Sequence, residues 1–464
     1  MMSFLSRIKR QVITPLAACV AFSMALPIHA KITEHVLENG LKVIIKEDHR
    51  APTAIQMIWY RAGSMDEVNG RTGIAHVLEH LMFKGTDTVP DGEFSRRVAA
   101  AGGRENAFTN RDYTAYFQQV PPASLPEMMR LEADRMTNLR LHQDPFAKEV
   151  AVVMEERRSR VEDNPYGQVS EQFMALAYNA SPYRSPVIGW MDDLQHLTRA
   201  DALDWYARWY APNNAVLIIA GDVQPDEVMA DVARTYAKIP RRELAERRPQ
   251  KEPEQRGIRR AVVKAPAQSP YIVMGFKTPR LESLDKPSDA YALEMLAAIL
   301  GSGDTGRMTR ELVRGKRQAN DADAGYSMLG RGPKMFTLSG TPLAGGSVEE
   351  LETALREQVS RIARDGVEEL ELRRIKSQYV AGRIFGRDSL YGQVMEIGLL
   401  ETIGFDHGDI DRVIERVRQV DSDAVKAVAG KYFGDDQLTV VSLAPQPLDQ
   451  KKKRVVDPSI KVKH

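Results

Sequence analysis

Apolar positions recur along this chain with two spacings, and the spacing separates expected strands from expected helices. Gly40-Leu41-Lys42-Val43-Ile44-Ile45-Lys46 alternates after an Asn39-Gly40 turn, and residues 54–60 form a second β-rich run. The stretch Thr72 to Gly85 then takes helical spacing, with Thr72 as candidate N-cap and Gly85 as candidate terminator, which predicts a little over three turns. A short amphipathic helix is expected over 91–101, ended by Gly102-Gly103, followed by a turn at Asn110-Arg111-Asp112 and a strand over 113–120. Asp144-Pro145 starts another helix, capped by the carboxylate and carried through Val150, Val153 and Met154 to about Glu162, before Asn164-Pro165 stops it. Helices over 167–178 and 199–210 lead to a buried strand over 215–221.

Residues 240–257 are charged, contain proline and are nearly devoid of large apolar side chains, which predicts a linker. Beyond it the order restarts, with strands over 261–264 and 271–276 and a helix over 288–300. The sequence 424–443 repeats the helix, polar turn and apolar strand of 202–220, and Trp209-Tyr210 against Tyr432-Phe433 gives an offset of 223 residues, 432 minus 209. A tandem duplication follows: an α+β protein of two homologous halves, each a mixed or antiparallel sheet with helices packed on one face. The expected limits are 31–240 for the first half, 241–257 for the linker, 258–450 for the second half and 451–464 for a basic tail.

The chemistry concentrates in His76-Val77-Leu78-Glu79-His80. Two histidines four apart on a helix are neighbours and can reach one metal ion, and Glu79 between them can reach a metal-held water without being a ligand. This is H-x-x-E-H, the inverzincin order. With 9 His in 464 residues the pattern arises by chance in roughly one chain of this size per hundred, so its context has to carry it. A zinc ion held by two histidines needs a further protein ligand and an open position. In the helix after Asp144, Glu149 and Glu156 are seven apart and share a face, while Glu155 is rotated away. Glu156 is the candidate third ligand, and Glu149 the carboxylate that orients a ligand histidine or the water. Gly301 to Gly306 fits G-x-G-x-x-G but follows a helix and not a strand, so it reads as a flexible inter-helix loop and not a dinucleotide site. His35, His49, His142, His196, His407 and His464 are isolated and read as surface or packing residues.

Composition narrows the setting. Arg7, Lys9 and Arg10, an apolar run over 12–28 and Ala30, with no acid before Glu34, lay out a secretory signal over 1–30 with cleavage after Ala30. An uncleaved anchor and lipidation at Cys19, in Leu16-Ala17-Ala18-Cys19, are the rivals. Cys19 is the single cysteine, so a cleaved chain has no disulfide, and its metal ligands must be His, Asp or Glu. Removing 1–30 takes the formal charge from +1 to −2, which gives no electrostatic case for nucleic acid. A periplasmic or otherwise exported protein is expected.

In these motifs the chain resembles the M16 (pitrilysin) family of zinc metallopeptidases, in the half-length class with mitochondrial processing peptidase and its bacterial relatives. The residues that carry the resemblance are 73–86, Gly102-Gly103, Asn106-Ala107-Phe108-Thr109, 112–116, Glu149, Glu156 and Asp163-Asn164-Pro165. It implies one zinc ion bound by His76, His80 and Glu156, with Glu79 as general base. It also implies that substrate adds as a strand at the edge bearing Asn106, Ala107 and Phe108, although Asn106 taken alone reads as a turn residue. The second half resembles the family's metal-free half through 312–316 and 332–336. Many members place an Arg and a Tyr seven apart there to hold substrate; here Arg314 is present but position 321 is Asp, with Tyr326 five residues on. The departure implies a heterodimer with a catalytically silent homologous subunit, with a homodimer using Arg314 and Tyr326 as the alternative. The expected activity is hydrolysis of peptides or unfolded segments by metal-activated water. The alternatives are a specific processing peptidase and a structural or assembly subunit.

Overall fold

The computed structural model describes residues 32–448 apart from Pro249, and the expected signal segment 1–30, with Ala30 and Cys19, and the tail 451–464 lie outside the described residues. The first half contains strands β1 (Ile32–Val36), β2 (Lys42–Glu47), β3 (Ala54–Tyr60), β4 (Arg104–Thr109), β5 (Thr114–Val120) and β6 (Ala215–Gly221). Its helices are α1 (Ile74–Leu81), α2 (Glu93–Ala100), α3 (Leu125–Asn138), α4 (Gln143–Arg157), α5 (Pro165–Ala177), α6 (Met191–His196), α7 (Arg199–Trp209) and α8 (Pro225–Arg234). The second half contains β7 (Arg259–Pro266), β8 (Tyr271–Thr278), β9 (Ala319–Gly325), β10 (Lys334–Pro342) and β11 (Leu438–Gln446). Its helices are α9 (Ala290–Gly301), α10 (Val348–Asp365), α11 (Glu369–Gly386), α12 (Leu390–Ile403), α13 (Asp409–Gln419) and α14 (Ser422–Lys431).

The six-stranded sheet runs β1-β2-β6-β3-β5-β4 and the five-stranded sheet β7-β11-β8-β10-β9. With β1 set aside, the two orders are the same, each with one parallel pair (β2 with β6, β7 with β11) and antiparallel neighbours elsewhere. The chain is an α+β duplication. Each sheet packs its own half's helices on one face. The other face takes a helix from the opposite half: α12 lies on β3 and β6, burying Ile55, Met57, Trp59, Val216 and Ile218 under Val394 and Ile397, and α5 lies on β7, β8 and β11 through Val169 and Phe173. Covered on both faces, β3 and β6 are buried at every position and lose the alternation of a half-exposed strand.

Three local expectations change. Helix α1 has eight residues, a little over two turns, and its N-cap is Gly73 and not Thr72. Helix α4 starts one residue before Asp144, with no capping bond from that carboxylate, and runs on into a π-helical turn at Arg158–Glu162. Asn106 lies inside strand β4 and pairs with Phe117, so it is not a turn residue. The described residues of 240–257 carry no helix or strand, yet they are tied down. Arg247 donates to Asp66 and lies 4.5 Å over the Trp209 ring, and Glu252 accepts the amides of Asn179, Ala180 and Ser181 while pairing with Lys277.

Candidate metal centre and active site

Helix α1 is placed by backbone contacts that exclude side chains. Gly73 (φ 86°) abuts Gly189 (φ 86°); a Cβ on Gly73 would stand 2.6 Å from Ile188 O, and one on Gly189 2.5 Å from Thr72 O. A positive φ with no space for Cβ requires glycine at both positions. The helix N-terminus is capped by Glu67, whose Oε2 and Oε1 accept the amides of Gly73 and Ala75, each at 2.9 Å. Thr72 is used elsewhere: its hydroxyl donates to Asp193 Oδ2 at 2.5 Å and accepts the Trp190 amide at 2.9 Å. Ile74, Ala75, Val77, Leu78 and Leu81 fill the first-half core, which turns His76, Glu79 and His80 toward α4 and β4.

His76 and His80 stand edge to face with ring centroids 4.9 Å apart. Their Nε2 atoms are 3.9 and 3.6 Å from Glu156 Oε2, and the three donor atoms lie within 4.8 Å of one another. Donors about 2 Å from a tetrahedrally coordinated zinc lie roughly 3.3 Å apart, so the two histidine–carboxylate separations would close by about 0.6 and 0.3 Å to take the ion, and the chemistry of the set, two imidazoles and a carboxylate, fits it. Burial, with His80 and Arg160 nearby, pushes His76 down to about 3, which leaves a neutral imidazole, the metal-binding form. The His76 Nδ1 is buried without a protein partner. His80 is desolvated too, but the Glu149 carboxylate 3.3 Å from its Nδ1, together with Glu79 and Glu156, holds its pKa above the usual value. Glu149 also binds Lys84 Nζ at 2.7 Å, and Glu156 Oε1 binds Arg160 at 2.7 Å. Glu155 turns away to Arg158, at 2.8 Å.

Glu79 has a carboxyl pKa raised by burial, against the opposing hydrogen bond from Thr109 Oγ1 at 2.6 Å. Thr109 ends β4, the outer strand of the sheet, so the strand that would pair with an extended peptide also fixes the Glu79 carboxylate. On that strand Asn106 Oδ1 accepts the Ala107 amide at 2.9 Å, Ala107 packs into the first-half core, and Phe108 meets Trp59 edge-on at 5.7 Å.

Arg314 and Tyr326 are engaged within the second half. Arg314 pairs at the surface with Asp304, at 2.7 Å, and the Tyr326 hydroxyl donates to Pro279 O at 2.6 Å while its ring stacks on Phe336. His407 is not isolated. With Glu34, Glu401 and Asp406 it forms a second group of potential metal donors, but the Lys42 ammonium already sits among them at 3.0, 2.7 and 3.4 Å from the three carboxylates. Sequence reasoning missed Glu67, Thr109, Lys84 and Arg160. The i, i+4 spacing of Arg160 to Glu156 was a readable signal, and the other three depend on tertiary approach.

The family model described as insulinase (peptidase family M16) matches residues 42–189, and the one described as peptidase M16 inactive domain matches residues 196–379. Zinc protease PqqE of Helicobacter pylori is 33% identical over 432 residues, 90% of this chain and 94% of that protein. An uncharacterized zinc protease of Mycobacterium leprae is 28% identical over 407 residues, 86% of this chain and 89% of that protein. The crystal structure of a protease from Helicobacter pylori is similar with a TM-score of 0.85 at 30% identity, over 90% of this chain and 100% of that one. The periplasmic protease PqqL from Escherichia coli shares the fold at a TM-score of 0.77 and 18% identity, over 91% of this chain and 48% of that one.

Proposed function

The chain belongs to peptidase family M16, and we propose that it is a zinc-dependent endopeptidase for peptides or unfolded segments. The observation that carries this reading is the convergence of His76, His80 and Glu156 to within 4.8 Å, with Glu79 between the two histidines on one helix. These three residues would hold the ion. Zinc, when bound, supplies a Lewis acid that polarises a peptide carbonyl and lowers the pKa of water. Glu79, its proton affinity raised by burial, accepts the water proton on its carboxylate and delivers it to the leaving amine. Thr109 holds the orientation of that carboxylate, and Glu149, itself steadied by Lys84, orients the His80 ring. The β4 edge pairs with substrate backbone through the segment Asn106 to Phe108. Such pairing reads little of the side chains and gives broad tolerance.

The inactive-domain match begins at residue 196, past all four of these residues, which supports catalysis over a purely structural role. Tyr326 is bound to Pro279, Arg314 is bound to Asp304 and position 321 is Asp, so the residues that the resemblance would have hold substrate are engaged within the second half or replaced. A heterodimer with a catalytically silent homologous subunit follows, with a homodimer as the alternative. Among the described residues no helix is long and apolar enough to cross a membrane. The basic and apolar pattern over 1–30 is what supports a periplasmic or otherwise exported protein.

The deciding experiment compares wild type with Glu79→Gln, each alone and with the candidate homologous subunit. Glu79→Gln is expected to lower peptide hydrolysis by about 10²–10⁴-fold at unchanged zinc content. Hydrolysis that survives the substitution with zinc bound rules out the mechanism, and full activity of the chain alone rules out the heterodimer. A single narrow cleavage consensus would favour the processing peptidase.

A further inference from the structure

Two segments of the first half hold α1 and Glu79 in place. One is the turn Ser64–Asp66, which leads directly into Glu67, the cap of α1. The other is the turn Asn110-Arg111-Asp112 that closes the β4–β5 hairpin beside Thr109, the partner of Glu79. The segments are in contact. Ser64 N and Met65 N donate to Asn110 O and Arg111 O at 3.1 and 3.0 Å, and a Cβ on Gly63 would stand 2.4 Å from Asn110 O.

Their junction carries two carboxylates, and one residue of the second half meets both. Arg331 forks onto Asp66, Nη1 to Oδ2 at 2.8 Å and Nη2 to Oδ1 at 2.7 Å. Its Nη1 also donates to Asp112 O at 2.9 Å, and its amide to Asp112 Oδ2 at 3.2 Å. The loop that bears it is pinned in turn: Gly332 N donates to the Tyr183 hydroxyl at 3.0 Å, and that hydroxyl donates to Asp112 Oδ1 at 2.5 Å. A planar two-point contact between side chains only 15% and 4% exposed fixes direction as well as distance, because solvent screens it little.

The geometry points to Arg331 as a positioning residue for the site: by clamping Asp66 and Asp112 it sets the two segments that hold the α1 N-terminus and the Glu79 carboxylate. The second half thereby acts on the catalytic geometry of the first. The effect on rate rests on the peptidase reading above; the effect on α1 does not. The competing role is simple adhesion between halves, which would loosen both halves together. Arg247 Nε also contacts Asp66 Oδ1, at 3.0 Å, so removing Arg331 leaves that carboxylate a cation and isolates the loss of orientation.

The test uses the full chain as wild type, Arg331→Met, Arg331→Lys and Asp66→Asn, the last serving if Arg331→Met does not fold. In the metal-free proteins, hydrogen exchange at the Gly73 and Ala75 amides is expected to speed up about tenfold in Arg331→Met and Asp66→Asn and less in Arg331→Lys, with β8 and β11 unchanged. The double variant is expected to be no worse than either single. With zinc, kcat is expected to fall about 10–100-fold while KM and zinc affinity, measured by chelator competition, stay within about threefold. Unchanged exchange at Gly73 and Ala75, or equal acceleration through both sheets, overturns the positioning role. If wild type with zinc bound hydrolyses no peptide, the peptidase reading fails, and the exchange result still decides the role of Arg331.

Discussion

Glu67 binds two helix amides with one carboxylate, and that arrangement predicts a pH dependence. Desolvation pushes its pKa to about 8 against the pull of the Ala75 and Gly73 amides, from an ordinary value near 4.5. Between those values the folded chain keeps a proton that the unfolded chain has released, so this residue makes stability fall as pH rises through the window. Glu67→Gln carries no titrating group and keeps one acceptor for the helix. The metal-free variant is therefore expected to lose less melting temperature than wild type between pH values of about 5 and 8, and parallel curves would refute this. At this scale the sequence was readable where chemistry follows local spacing: His76, Glu79 and His80 lie on one turn, and Glu149 and Glu156 two turns apart on one face. Glu67 was not readable, because its capping role depends on the chain reversing between residues 67 and 73. Thr72 stands where a cap is expected, yet Asp193, distant in sequence, takes its hydroxyl.

Among the elements, α12 shows what periodicity leaves open. Its sequence, LYGQVMEIGLLETI, is apolar nearly all round, and both sides are buried, Val394 and Ile397 against the first sheet and Leu400 and Ile403 against the second core. A helix of this kind announces burial but not its neighbour. The neighbour is Trp59, which lies so close that a Cβ on Gly398 would stand 1.9 Å from its Cε2. Alanine there gains helix propensity of at most about 1 kcal/mol. Overpacking against a buried indole costs about 1–3 kcal/mol, so Gly398→Ala is expected to lower the urea midpoint with no change in m. A raised midpoint would mean that the contact has slack and that α12 does not seat directly on Trp59.

For the whole molecule, the duplication was readable because helix, turn and strand recur in order, but a repeat suggests two self-contained units and the structure is more entangled. The absence of alternation in Ala215 to Gly221 implied burial on both faces without saying what supplies the second cover. That cover comes from the other half in both directions, α12 on the first sheet and α5 on the second, and the Lys42–Glu401 and Asp66–Arg331 ion pairs join the halves at their margins. A fragment ending at residue 257 keeps every strand of the first sheet yet bares Ile55, Met57, Trp59, Phe117, Val216 and Ile218 as one contiguous apolar face. Exposed patches of that kind drive association. The fragment 32–257 is therefore expected to self-associate and to lack a cooperative melt, whereas the intact chain unfolds in one transition because neither sheet keeps its cover without the other half. Co-expression with 258–448 is expected to restore a soluble complex by returning α12 to Trp59. A monomeric 32–257 fragment that melts cooperatively at the temperature of the full chain would show that the crossed helices decorate two independent domains and do not bind them into one.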